Sequence, residues 1–277
     1  MRIIPAHKIR DAVSELCIRA NTVLRKDVLK QLKIASLKET NKRAKKILGA
    51  IMANAGLARR KRLAICQDTG LPVVFLEIGQ EVKISGDLKS AVNRGVESGY
   101  KKGYLRNSII NNPLLRGKPG YSPVVIHTEI VRGKRLKITV LPKGFGCENK
   151  SQLKMFNPTV DINEIKGFIL EAVKSAGPDA CPPYIVGVGI GGTADYAMFL
   201  AKKALLRKPT TNDQRPTTKL EKDLLNNINK LNIGPMGLGG AATCLGVNIE
   251  TYPTHIAGLP VAVNISCHAL RSAPKTI

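Results

Sequence analysis

Tryptophan is absent from this 277-residue sequence, and only six tyrosines and five phenylalanines supply aromatic rings. A stacking platform for single-stranded nucleic acid is therefore poorly furnished. No stretch approaches the ~20 consecutive apolar residues of a membrane span. The apolar start of the chain is interrupted by Pro5, His7, Lys8 and Arg10, so no hydrophobic segment of signal-peptide length is present and a cytoplasmic location is expected. Six cysteines, at positions 17, 66, 147, 181, 244 and 267, are too few for a disulfide scaffold. There is no C-x-x-C pair, which removes the common zinc and ferredoxin patterns. Acidic residues are scarce too: 20 Asp and Glu stand against 44 Lys and Arg, a formal net charge of +24. Such a balance first suggests nucleic acid. The basic groups are short and dispersed, at 42–46, 59–62, 101–102 and 202–203, so they read as a general surface property and a nucleic-acid partner is not expected. An acidic subunit, anionic substrates or a salty cytosol would each account for them.

What is present is the composition of a globular chain, 43% hydrophobic and 23% charged with no long polar tract. Ile9, Val13, Leu16 and Ala20 recur at helical spacing, and residues 38–57 are rich in Ala, Lys, Ile and Leu, with Gly56 as the expected stop. From residue 63 the texture changes to β-branched runs bounded by Gly, Pro and Asp: LAIC, PVVFLEIG, VVIHTEIV and LKITVL, then YIVGVGI and stretches near 245–250 and 261–265. Helices are expected at 87–102, 164–176, 193–206 and 220–231, and a loop or linker at 207–218. The fold class is mixed α/β (α+β): a helical N-terminal segment over residues 1–60, then mixed sheets with flanking helices, in a single domain over 1–277.

Three cysteines lie in loop settings: Cys66 opens CQDTG, Cys181 precedes two prolines, and Cys267 lies in ISCHALR. Soft thiolates suit iron–sulfur clusters and zinc, and ligands to such sites need not be close in sequence. Cysteines also serve as small buried apolar residues. Three thiolates on a four-iron cluster would leave one iron open to a hydroxyl and a carboxylate, and anionic substrate groups would call for a guanidinium such as Arg106. Gln67 and Asp68 either orient a carboxylate or water, or simply form and cap a turn. The KGFG turn brings Gly144 and Gly146, whose backbone amides can approach a ligand closely. Gly187, Gly189 and Gly192 have the spacing of a dinucleotide fingerprint, but the acidic residue at the required distance, Asp213, falls in a Pro-rich stretch, so tight strand-to-helix packing is expected instead. His127, His255 and His268 lack a second histidine at i+3 or i+4 and read as core or hydrogen-bonding residues.

Taken in order, CQDTG (66–70), LRNS (105–108), KGFGCENKS (143–151), AGPDACPPYIVGVGIGGT (176–193), LAKKALLR (200–207), IGPMGLGG (233–240) and YPTHIAGLPVAVNISCHALR (252–271) resemble the class I fumarate hydratase and L(+)-tartrate dehydratase family over residues 40–271. The resemblance implies an alpha-type subunit holding a [4Fe-4S] cluster through Cys66, Cys181 and Cys267. It implies substrate contacts from Gln67, Asp68, Arg106 and the backbone at Gly144, with Asp68 also catalytic. The implied reaction is reversible hydration of fumarate to malate, with dehydration of tartrate or another hydroxy-diacid as the alternative; a basic nucleic-acid-associated protein that keeps the fold without catalysis is the remoter reading. A beta subunit carrying the C-terminal domain would supply the general base and complete a hetero-oligomer. The chain departs from the family pattern at RGKPGYSP (116–123) and at Cys147, where serine is usual, which raises an alternative ligand or an oxidation-prone thiol there.

Overall fold

The computed structural model describes residues 1–209 and 217–277. Most of the expected linker at 207–218, with Asp213, lies outside the described residues. In chain order the elements are β1 (Arg2–Pro5), α1 (Ala6–Thr22), α2 (Lys26–Lys38), α3 (Lys42–Lys61), β2 (Leu71–Gly79), β3 (Val82–Ser85), α4 (Leu88–Lys102), β4 (Val125–Val131), β5 (Leu136–Lys143), α5 (Phe145–Glu148), β6 (Gln152–Phe156) and α6 (Ile162–Ala176). They continue with β7 (Tyr184–Gly191), α7 (Ala194–Ala204), α8 (Thr218–Asn229), β8 (Cys244–Tyr252), β9 (Leu259–Ser266) and β10 (Ala273–Thr276). The fold is mixed α/β, as the sequence pattern predicts.

The chain forms two compact units. The first comprises Met1–Arg25, Ala55–Phe145 and Arg271–Ile277. Its four-stranded sheet has the order β10-β5-β2-β4, with β2 antiparallel to β5 and parallel to β4, and β10 antiparallel to β5. A second ribbon pairs β1 with β3 in parallel. Ile9, Val13, Leu16 and Ala20 of α1 face Val92, Val96 and Tyr100 of α4 and the sheet residues Val74, Leu76, Ile138 and Val140 in one core. The helix α4 starts where Asp87 accepts the Ser90 N–H at 2.9 Å. It lies close on α1 because Gly95 and Gly99 have no side chain: a Cβ on either would come within 2.6 Å of a carbonyl oxygen of α1, that of Arg10 or Ser14.

The second unit comprises Lys26–Asn54 and Gly146–Leu270. Its sheet runs β6-β9-β7-β8, with β7 parallel to β8 and antiparallel to β9. Strand alternation divides its two faces. Val186, Val188, Val261, Val263 and Ile265 pack into the core shared with α6 and α8, while Ala262 packs with Ala197 and Ala201 of α7 on the other face. Gly187 and Gly189 are on that second face. A Cβ there would sit 2.1 Å and 2.0 Å from the Ala201 and Ala197 carbonyl oxygens, so these glycines exist to let α7 lie on β7, as expected from the sequence.

Two local expectations fail. LAIC is not a strand: residues 63–70 are irregular, and Ile65 is tied by its N–H to the Asn21 carbonyl at 2.9 Å, a buried apolar anchor in a loop. Gly56 does not stop α3, which continues to Lys61 with Gly56 inside it. Four short strands, β1, β3, β6 and β10, carry no alternation long enough to be read from sequence.

Candidate active site

In the first unit the loop ahead of β2 is built by hydrogen bonds from elements distant in sequence. The Asp68 carboxylate accepts the Gly70 N–H on Oδ1 at 2.9 Å and the Phe145 N–H on Oδ2 at 2.8 Å. The first bond makes the turn expected of Asp-Thr-Gly, with Gly70 at φ 76°. The second joins that turn to the end of β5. Thr69 is buried, and its Oγ1 accepts the Arg106 N–H at 3.1 Å. The buried Tyr100 hydroxyl donates at 2.9 Å and 3.1 Å to the Thr69 and Gly70 carbonyls, and burial pushes its pKa up. The exposed Arg106 side chain reaches back to the Gln67 carbonyl at 3.4 Å through Nη1. The Cys66 thiol donates to Gln67 Oε1 at 3.4 Å. Gln67, Asp68, Arg106 and Gly144 are thus brought into one cluster of loops, with Cys66 at its start.

Gly144 matters here for space. A Cβ on it would lie 3.3 Å from Asp68 Oδ2 and 3.6 Å from Arg271 Nη2. Arg271 and Tyr100 are the residues of this cluster that sequence reasoning does not single out. A lone arginine after leucine and a tyrosine late in a helix both read as ordinary; the one available signal is that Arg271 closes the CHALR stretch.

In the second unit Cys181 follows the turn Gly177–Ala180 and adopts a left-handed conformation at φ 53°, which a residue with a side chain holds only when its surroundings insist. Its carbonyl accepts the His268 backbone N–H at 3.4 Å and contacts His268 Nδ1 at 3.1 Å. A carbonyl only accepts, so Nδ1 carries the proton in this contact. The loops bearing Cys181 and Cys267 are therefore fastened side by side. Among the described residues no group of three or more His, Cys, Asp or Glu side chains is gathered tightly enough to hold a metal ion.

The six cysteines form no disulfide and divide evenly: Cys66, Cys181 and Cys267 are partly exposed, whereas Cys17, Cys147 and Cys244 are buried. Burial pushes the Cys17 thiol up and that of Cys244 up to about 12, which keeps both protonated. The Cys147 thiol donates to the Ala180 carbonyl at 3.4 Å within the core, so it is not the exposed, oxidation-prone group its position suggested. The three partly exposed thiols are soft donors, the type that iron–sulfur groups take. Of the histidines, His127 stacks on Phe75 with ring centroids 5.2 Å apart, and His255 is exposed, its Nδ1 accepting the Ala257 N–H at 3.1 Å.

No helix among the described residues is long and apolar enough to cross a membrane. The sequence pattern described as "Fumarate hydratase (Fumerase)" matches residues 10–276. The chain is 42% identical over 279 residues, 98% of each chain, to a Methanocaldococcus jannaschii protein named "Putative L(+)-tartrate dehydratase subunit alpha". It is 30% identical over 270 residues to the "L(+)-tartrate dehydratase subunit alpha" of Escherichia coli, with 96% of this chain and 89% of the relative covered, in both the K12 and UTI89 strains.

Proposed function

Because the chain belongs to the fumarate hydratase (Fumerase) family, we propose that it is the alpha subunit of an iron–sulfur hydro-lyase that adds water to, or removes it from, a four-carbon dicarboxylate. The observation that carries this reading is the loop cluster in which Asp68 accepts the Gly70 and Phe145 N–H groups, Arg106 donates to the Gln67 carbonyl and Gly144 lies bare beside Asp68, which offers a guanidinium, a carboxylate and an open backbone turn to one ligand. Cys66, Cys181 and Cys267 would hold the [4Fe-4S] group; what supports the choice is their partial exposure beside three buried cysteines. Held by three thiolates, the group supplies one iron as a Lewis acid toward a hydroxyl and a carboxylate.

The chain's own residues would bind and orient the diacid. Each Asp68 oxygen accepts one backbone N–H, which fixes the carboxylate plane and leaves lone pairs for a water or a substrate hydroxyl. Arg106 uses one nitrogen on the Gln67 carbonyl and keeps its other donors for a substrate carboxylate. Gln67, exposed beside it, offers an amide to the same ligand. Gly144 lets the backbone approach without a side chain.

Tartrate dehydration is the reading favoured by the names of the relatives, and fumarate hydration the one favoured by the family description. The word "alpha" in those names supports a partner beta subunit, which would bring the general base. A cytoplasmic setting suits a chain that works through reduced thiols. The test is anaerobic co-production with the partner subunit, an iron count and assays with fumarate, malate and L-tartrate. The reading expects a brown complex with about four irons per chain and turnover of at least one diacid. It expects no comparable turnover from this chain alone. A colourless complex inert toward all three acids would end it.

A further inference from the structure

Arg271 is only 2% exposed, yet a guanidinium brings five N–H donors and a permanent charge. Its Nη1 donates to Asn21 Oδ1 at 3.1 Å, and its Nε is buried with no hydrogen-bond partner. Arg271 takes no part in the ion pairs of the same unit, such as Arg10 with Asp11, Lys101 with Glu97, Lys134 with Glu81, Lys137 with Glu77 and Lys275 with Glu15. A buried charge held in no ion pair is costly, and a ligand carboxylate would offset that cost. The geometry shows where it would enter. Nη2 lies 3.6 Å from the point where a Cβ on Gly144 would be, and Asp68 Oδ2 lies 3.3 Å from the same point. The Arg271 guanidinium and the Asp68 carboxylate thus both border the position that a side chain on Gly144 would take. Each Asp68 oxygen accepts one backbone N–H, from Gly70 and Phe145, and the carboxylate makes no ion pair with Arg271.

We propose that Arg271 is a substrate-recognition residue: its Nη2 edge takes one carboxylate of a 2-hydroxy acid in the notch over Gly144, while the neighbouring hydroxyl donates to Asp68 Oδ2. The proposal rests on the hydro-lyase reading above and deepens it. It also divides labour between two arginines. Arg106 is exposed and adjustable, whereas Arg271 is pre-organised by burial and by Asn21, which lowers the ordering cost of binding. A carboxylate alone would engage Arg271 and leave Asp68 Oδ2 without a donor, so acids that carry a hydroxyl beside the carboxylate are expected to bind more tightly.

The test uses the cluster-loaded complex with its partner subunit and two non-reacting probes, hydroxymalonate and malonate, titrated by calorimetry alongside steady-state kinetics. The wild type is expected to bind hydroxymalonate more tightly than malonate. Arg271→Gln should weaken hydroxymalonate about 10- to 100-fold and raise KM for the turned-over diacid by a similar factor, with a smaller change in kcat. Arg271→Lys, which keeps the charge but not the fork, should fall between. Free guanidinium ion added to Arg271→Gln should restore part of the affinity, an effect that a purely structural role would not produce. Should Arg271→Gln fail to fold, Gly144→Ala fills the same notch from the other side and is expected to weaken hydroxymalonate. If the wild type turns over a diacid and the Arg271 variants bind hydroxymalonate within threefold of it, this inference is wrong and the hydro-lyase reading stands. If the wild-type complex neither binds nor converts any diacid, both fall.

Discussion

The Asp68 carboxylate and the Phe145 backbone N–H are 2.8 Å apart, which locks the loop entering β2 to the turn leaving β5. The two strands are antiparallel neighbours with Leu71 opposite Lys143, so the side chain closes the end of a ladder that the backbone has already aligned. Gly144 stands at this closure, and a methyl group placed on it would press on Asp68 Oδ2 at 3.3 Å. Gly144→Ala is therefore expected to lower kcat/KM about 10- to 100-fold by displacing the carboxylate. Its melting temperature should stay within a few degrees of wild type. Unchanged kinetics in the loaded complex would remove Asp68 and Gly144 from the site.

Replacement of Cys66, Cys181 or Cys267 by serine should cost the protein its bound iron, because a hard hydroxyl is a poor substitute for a soft thiolate. Cys244→Ala should keep it, since that sulfur is buried and its thiol is held protonated by burial. Iron counts after anaerobic purification decide the matter. Iron retained by all three serine variants would break the proposed ligand set.

Alkylation offers a check that needs no cluster. In the native chain stripped of metal, iodoacetamide should label Cys66, Cys181 and Cys267 within minutes, and Cys17, Cys147 and Cys244 only after denaturation. Intact-mass spectrometry counts the adducts directly, and early labelling of Cys17 or Cys244 would contradict their burial.

Tyr100→Phe removes the hydroxyl that donates to both the Thr69 and Gly70 carbonyls. Two buried acceptors lose their shared donor, which should cost about 1–3 kcal/mol. The melting temperature should fall by roughly 2–4 °C for each kcal/mol lost, and amide exchange at Gly70 should quicken. A variant as stable as wild type would show that these bonds are replaced by solvent.

Gly189→Ala discriminates packing from nucleotide binding at the glycine-rich strand. Its new Cβ would sit 2.0 Å from the Ala197 carbonyl oxygen, so the variant should be destabilised by about 1–3 kcal/mol or more. Calorimetric titration of the wild type with NAD should show no saturable binding. Saturation would reinstate the dinucleotide reading.

Strong periodicity made much of this architecture legible. The α1 spacing and the runs that became β2, β5, β7 and β9 speak for themselves, because each buries a continuous apolar face, while β4 is read from its β-branched run although it stays partly exposed. LAIC misled for the opposite reason: a short apolar run looks alike in a strand and in a loop anchored by one buried residue, here Ile65. The short strands β1, β3, β6 and β10 are set by their partners rather than by their own pattern. At the site, local chemistry alone left Gln67 and Asp68 as either turn formers or ligand residues, and in the structure Asp68 makes the turn while keeping lone pairs for a ligand. Arg271 stayed invisible because its meaning comes from Asn21 and Gly144, 250 and 127 positions away, and only folding brings the three together.

The strand β10 joins β5 although residues 146–270, which separate them in sequence, belong to the second unit together with Lys26–Asn54. On the ribosome, the first unit must therefore wait with an exposed sheet edge while another hundred or so residues are made and collapse ahead of it. Order of synthesis and order of completion differ: the second unit has all its residues once Leu270 is made, whereas the first, begun earlier, gains its last strand afterwards.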